Sequence, residues 1–178
     1  IRGLLDREGV STRLFTAVIA SIAFLETGSA AGGKRDPAIE KLLVEFAGNT
    51  ERAAELRAIA IRRIPAEAES PTNDQLGDWI AGQPSRALGR EVVRLLAARD
   101  QATAAEQLAK IAGNAALDVQ TRADALAALS RVAGQYSALI NKFSLPAANE
   151  VLQTEARRMR NRTWKPDQPL PHKEDLAA

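Results

Sequence analysis

Along this chain, apolar residues return every three or four positions in stretches separated by short polar interruptions rich in Gly, Pro, Asn and Asp. A period near 3.6 is the mark of one helix face, and no window shows the period of two expected of a half-buried strand. The first periodic stretch places Leu14, Val18, Ile22 and Leu25 on one face, with Ser11 or Thr12 positioned to cap it and an end near Thr27. Gly28 to Gly33 reads as a flexible loop. Asp36-Pro37 sets a capping carboxylate before a first-turn proline, and the helix it opens points Ile39, Leu42, Leu43 and Phe46 inward before stopping at Gly48. Thr50 is placed to cap a third helix running to Ile64, with Leu56, Ile59, Ala60 and Ile64 inward.

Pro65 and Pro71 bound the next loop, after which Asn73 or Asp74 opens a short helix carrying Leu76, Trp79 and Ile80 to Gly82. Pro84 starts a helix to about Ala98 with Leu88, Val92, Leu95 and Leu96 inward, and Asp100 introduces Ala104 to Gly113 with Leu108 and Ile111 inward. Asp118 caps a strong helix to Ala133 with Ala125, Leu126, Leu129 and Val132 on one face. A short helix spans Tyr136 to Asn141, and Pro146 begins the last, ending near Arg162, with Val151, Leu152 and Met159 inward.

The pattern therefore predicts about nine helices of roughly 8–17 residues and an all-α fold. Composition agrees. Alanine is about one residue in five, and aromatics are only 4%. Alanine, leucine, arginine and glutamate favour helices, while the residues strands prefer are scarce. The longest apolar stretch, Leu14 to Leu25, is too short to cross a bilayer, which takes about 20 residues.

Arg57-Ala-Ile-Ala60-Ile61-Arg-Arg-Ile64 and Arg122-Ala-Asp-Ala125-Leu126-Ala-Ala-Leu129 share the pattern Arg-x-x-Ala-(Ile/Leu)-x-x-(Ile/Leu). They lie 65 positions apart (57 to 122), or about two units of 32–33 residues, with a degenerate middle copy at Arg90-Glu-Val-Val93-Arg-Leu-Leu96. The spacing is a shortened form of HEAT and armadillo repeats. In such arrays a helix pair cannot bury its apolar face alone and does so by stacking on its neighbours. The expectation is a HEAT/armadillo-like right-handed solenoid of stacked antiparallel helix pairs over residues 1–162, followed by a proline-rich tail or linker over 163–178. An irregular bundle is the competing architecture.

Asp118-Val-Gln-Thr-Arg-Ala-Asp-Ala-Leu-Ala-Ala-Leu129 resembles the second helix of a HEAT-type repeat. With Arg157-Arg-Met-Arg-Asn-Arg-Thr-Trp164 and the proline-rich Lys165 to Ala178, the whole chain resembles the HEAT-like region of large planctomycete-type multi-domain proteins. There a β-propeller dehydrogenase-like domain precedes the helical region and a small c-type cytochrome domain comes after it. The resemblance implies a piece of a larger, exported, haem-containing redox protein. These residues contain no Cys-x-x-Cys-His haem motif, and the segment itself is expected to hold no cofactor.

The chemistry on offer is sparse. With no cysteine and the single histidine His172, this segment has no disulfide, thiol nucleophile or multi-histidine metal site. Asp74 and Asp78 share a predicted helix face and Glu67 and Glu69 lie just upstream, a set that can bind a cation or act as acid and base. Helix-start charge and ordinary solvated surface account for the same residues. Gly28 with Gly33-Lys34 meets the spacing of a phosphate loop, but Arg35 stands where the magnesium-binding hydroxyl belongs.

The most specific local feature is basic: Arg157, Arg158, Arg160, Arg162 and Lys165, with Trp164 among them. Arginine forks suit phosphates and tryptophan can stack a base. Cations complementing the dipole of a final helix, with Trp164 packed back as a cap, are the favoured account of the cluster. A net charge of +2 gives no strong general pull toward nucleic acid or membrane. The expected function is a non-enzymatic scaffold or spacer, with no catalytic, cofactor or metal residues, whose partners are flanking domains of the same chain or other proteins. The alternative is a nucleic-acid-binding HEAT-like domain using the Arg157–Trp164 cluster. Compartment is not encoded in the segment, and the exported location rests only on the resemblance.

Overall fold

The computed structural model describes residues 10–27, 37–82, 85–99, 102–129, 136–144 and 149–163. Among them are nine helices and no strand: α1 (Thr12–Thr27), α2 (Pro37–Gly48), α3 (Ala54–Arg63), α4 (Asn73–Gly82), α5 (Arg86–Ala98), α6 (Ala102–Gly113), α7 (Val119–Ala128), α8 (Ser137–Ser144) and α9 (Glu150–Thr163). The protein is all-α, as the apolar period requires.

Most contacts between helices follow two patterns, and α5 also packs directly on α6. Consecutive helices pair as α2 with α3, α4 with α5, α6 with α7 and α8 with α9. The second member of each pair then packs on the second member of the next: α3 on α5, α5 on α7, α7 on α9. On the other side α4 meets α6, while α1 covers α2 and α3 at the start of the row. The core runs between the two rows as one continuous cluster, from Phe15 and Ile22 through Ile61, Leu76, Leu95 and Leu126 to Leu152 and Met159. Within it α5 and α7 approach closely, because a Cβ on Gly89 would lie 2.6 Å from Thr121 Cγ2.

The matched stretches of the sequence occupy matched structures. Asn49 and Asn114, 65 apart, come directly after the last glycine of α2 and α6 and make the same turn. Asn49 Oδ1 accepts from the Glu51 amide at 2.9 Å, and Asn114 Oδ1 from the Ala116 amide at 3.0 Å. The Arg52 amide donates to Asn49 O and the Leu117 amide to Asn114 O, both at 3.2 Å. In the next helix, Arg57 Nε donates back to Ala47 O at 2.6 Å and Arg122 Nε to Ala112 O at 3.1 Å. In each case a guanidinium satisfies a carbonyl that the end of the preceding helix leaves without an intrahelical partner. Arg90 does not extend the series, because it is exposed on α5. The buried face of that helix is Leu88, Gly89, Val92, Leu95 and Leu96 instead.

Several boundaries differ from expectation for local reasons. Ser11 caps α1, its hydroxyl accepting from the Leu14 amide at 3.2 Å. Thr50 caps nothing: the Asn49 turn occupies its position and α3 starts after Ala53, which offers no capping side chain. At α4 the cap is Thr72 rather than Asn73 or Asp74. Its hydroxyl accepts from the Gln75 amide at 3.2 Å while Gln75 Oε1 accepts from the Thr72 amide at 2.8 Å, a reciprocal capping box. This frees Asn73 to be buried. Asp118 caps α7 as expected, accepting from the amides of Gln120 and Thr121.

α9 begins at Glu150 behind Asn149, not at Pro146, and α8 is Ser137–Ser144 rather than Tyr136 to Asn141. Leu14 and Val151, expected inward, are 37% and 40% exposed; Phe15, one position along, is buried in place of Leu14, and Leu152 is buried as expected. The predicted Gly28–Gly33 loop, Asp36, Pro84, Asp100, Val132, Pro146 and the 164–178 part of the tail lie outside the described residues.

Candidate functional site

Polar side chains join neighbouring helix pairs at nearly constant sequence separation. Between α3 and α5, the buried carboxylate of Glu91 receives Arg62 Nε at 3.0 Å and Nη2 at 2.6 Å, and Arg94 Nε at 2.9 Å. Arg94 Nη2 also donates to the carbonyls of Ile61 and Arg62 at 3.3 and 3.2 Å, where the C-terminal dipole of α3 favours a cation. Burial pushes the Glu91 carboxyl up, but the hydrogen bonds and charges of Arg62 and Arg94 outweigh it and hold the group below the ordinary carboxylate range. Glu91 in turn raises the Arg62 guanidinium through its hydrogen bond and charge.

A second network ties α4 to the end of α5 and to α6. Arg99 Nη1 donates to Asn73 Oδ1 at 2.6 Å and its Nη2 to Ala68 O at 3.2 Å, while Asn73 Nδ2 donates to Thr103 Oγ1 at 2.8 Å. Gln107 Nε2 donates to Asp74 Oδ1. Burial lowers both Arg57 and Arg99 from the usual guanidinium range. These buried ions fasten helices together. Arg57, Glu91 and Arg99 escape a reading of the sequence because charged residues are almost never fully buried unless paired.

Among the described residues, the carboxylates singled out for chemistry do not assemble into one site. Asp74 is held by Gln107, Asp78 stands exposed, and Glu67 and Glu69 line a different feature. That feature is an open cleft of about 640 Å³ between α2 and the segment before α4, where they meet Glu40, Glu45, Lys41 and Val44. Lys41 pairs with Glu45 at 3.8 Å. Among the described residues no group of three or more His, Asp or Glu is placed to hold a metal ion. In the basic cluster, Arg157 and Arg160 are half-buried beside the packed stripe Leu152, Ala156 and Met159. Arg158 is exposed and pairs with Glu155 at 3.3 Å. The side chain of Arg162, together with Trp164, Lys165, His172 and the Gly28–Arg35 loop, lies outside the described residues.

The surface of the α5–α7–α9 row carries the feature that sequence spacing does not reveal. A depression of about 520 Å³ between α5 and α7 is lined by Arg86, Ala87, Arg90, Gln120 and Asp124. A second of about 320 Å³ between α7 and α9 shares Gln120 and Asp124 and adds Ala127, Glu150, Val151 and Arg158 among its walls. Together they form one trough. It escapes a reading of the sequence because its walls come from three helices separated by some 30 residues each. Among the described residues no helix is long and apolar enough to cross a membrane. The chain matches no family model, no curated protein and no solved structure.

Proposed function

We propose that this chain is a non-enzymatic helical-repeat spacer, a HEAT/armadillo-like right-handed stack of antiparallel helix pairs within a larger protein. It holds its flanking parts at a fixed separation and offers the exposed row of helices to a protein partner. The supporting observation is the recurrence of one contact at an interval of 65 residues: Arg57 Nε on Ala47 O, and Arg122 Nε on Ala112 O. The cross-links between pairs agree with it. Arg62 meets Glu91 across 29 residues, Asn73 meets Thr103 across 30, and Gln107 meets Asp74 across 33. In a repeat array each unit touches only its neighbours, so partners sit one repeat apart in sequence. The family resemblance makes the flanking parts a propeller dehydrogenase-like domain and a c-type cytochrome domain of an exported redox protein.

Rigidity is the property to measure. The chain contains no cysteine, so Arg13→Cys and Thr154→Cys, at exposed sites on α1 and α9, accept two nitroxide labels and nothing else does. Pulsed electron resonance is expected to give one narrow distance distribution. A broad or multimodal distribution would remove the spacer reading.

A further inference from the structure

We infer that the trough across α5, α7 and α9 is the docking site of an extended peptide segment with acidic side chains at one end and basic side chains at the other. The inference rests on the spacer reading only in taking the partner to be a protein. Charge is the first argument. Arg86 and Arg90 are exposed on α5 at one end of the trough. Glu150 and Glu155 lie toward the other, where Arg158 pairs with Glu155, and Asp124 sits in the middle, lining both depressions. Gln120 Nε2 holds Asp124 Oδ1 at 3.1 Å between the two depressions. Complementary charge patterns of this kind fix orientation and register more than they add affinity. A nucleic acid or an anionic lipid surface would have to pass over three carboxylates.

The second argument is why the trough is open at all. Ala127 stands 65 positions after Arg62. In the first copy, Arg62 reaches across from α3 to Glu91 of α5. In the second copy the same place on α7 carries a methyl group, and the gap toward α9 stays open, with Ala87 and Ala123 keeping the walls low. Val151, 40% exposed, provides an apolar contact beside it. Size is the third argument. Packed helix axes lie about 8–10 Å apart, so α5 and α9 are separated by roughly 16–20 Å. An extended chain advances about 3.3 Å per residue, so the two charged ends of the segment belong about five or six residues apart.

The test uses the 178-residue chain and a fluorescent eight-residue peptide with two glutamates at one end, two lysines at the other, and alanine and valine between. Its control is an isomer of the same composition with alternating charges. Anisotropy titration at low salt is expected to show the segregated peptide binding at least ten-fold tighter. Arg90→Glu and Arg86→Glu should each weaken it at least ten-fold without loss of helical circular dichroism, and each is an exposed position. Equal binding of the isomers, binding of neither, indifference to both substitutions, or displacement by duplex DNA would overturn the inference. If the distance distribution between the labels stays narrow in that event, the docking site fails and the spacer reading stands.

Discussion

Ala53 and Asp118 hold the same place in two hairpins and nearly the same backbone conformation, φ −57° and ψ 137° against φ −52° and ψ 136°. Only Asp118 caps the helix after it. Both hairpins keep the asparagine turn and the arginine that reaches back to the preceding helix, and both bury the residues three, four and seven places after that arginine. The shared part is the part that sets backbone geometry. What differs is how the geometry is stabilised. The first hairpin buries its arginine completely and joins the next pair through Arg62, Glu91 and Arg94. The second has an aspartate cap, a half-buried Arg122 lying 5.6 Å from the centre of the Phe143 ring, and an alanine where the first has Arg62. A conformation that survives such exchange is fixed by packing and turn chemistry, with caps and ion pairs as adjustable additions.

The largest test removes what the copies share. Leu126→Ala and Ile61→Ala, at matched and fully buried positions, should each destabilise by about 2–5 kcal/mol in urea unfolding. A loss below about 0.5 kcal/mol for Leu126 would place that face of α7 in solvent. The arginines should separate the copies. Arg57→Ala leaves a cavity and an unpaired buried carbonyl and should cost about 2–4 kcal/mol, whereas Arg122→Ala should cost about 1 kcal/mol. Equal losses would mean that burial of the guanidinium does not distinguish the hairpins.

Acid should loosen the first copy more than the second. The Glu91 carboxyl is depressed in the folded state. Its contribution is therefore complete above the unfolded value of about 4.3 and is lost as pH falls through the lower folded value. Glu91→Gln should flatten the stability profile below about pH 4.3, where the native protein weakens. An unchanged acid limb would show that the Arg62–Glu91–Arg94 cluster carries no linked proton.

Caps give a smaller and reciprocal effect. Asp118→Ala should cost about 1 kcal/mol, and Ala53→Asp, at an exposed residue with the matching backbone, should gain about 0.5–1 kcal/mol. No gain would mean that the equivalence stops at the backbone. The smallest response is expected from DNA. With Arg158 paired and Arg157 and Arg160 half-buried, only weak binding at low salt should appear, disappearing near about 150 mM. Micromolar affinity at that salt with a log–log slope of roughly −0.9 per phosphate, lost on Arg157→Ala, Arg158→Ala and Arg160→Ala together, would favour the nucleic-acid alternative.

Much of the helical order is legible in the sequence because each clue acts locally. Asp118 precedes an apolar run and caps it, and Pro37 opens α2 where its missing amide costs nothing. Thr50 misleads because an asparagine turn one residue earlier consumes the same stretch of backbone. Leu14 and Val151 mislead because an apolar stripe with a neighbouring apolar residue fits two helix faces about 100° apart, and only packing selects between Leu14 and Phe15. The repeated arginine is visible, but its burial is not, since that depends on a carbonyl ten residues upstream. Arg90 fits the sequence motif and fails in space, because the close contact at Gly89 sets the register of α5. The trough lies beyond sequence reading for a related reason: Arg90, Asp124 and Val151 come together only when α5, α7 and α9 have packed side by side.

The separation of the cross-links has a consequence for how the chain acquires its structure. The polar links between pairs span 29 to 33 residues, from Arg62 with Glu91 to Gln107 with Asp74. Such contacts reach no further than the neighbouring pair, and closing loops of this length costs only modestly more entropy than closing a single hairpin. A nascent chain emerging from a ribosome needs to extend only one further pair before the previous one finds its partners. Assembly can then advance from α1 toward α9 during synthesis, at each step exposing the apolar flank of the newest pair alone.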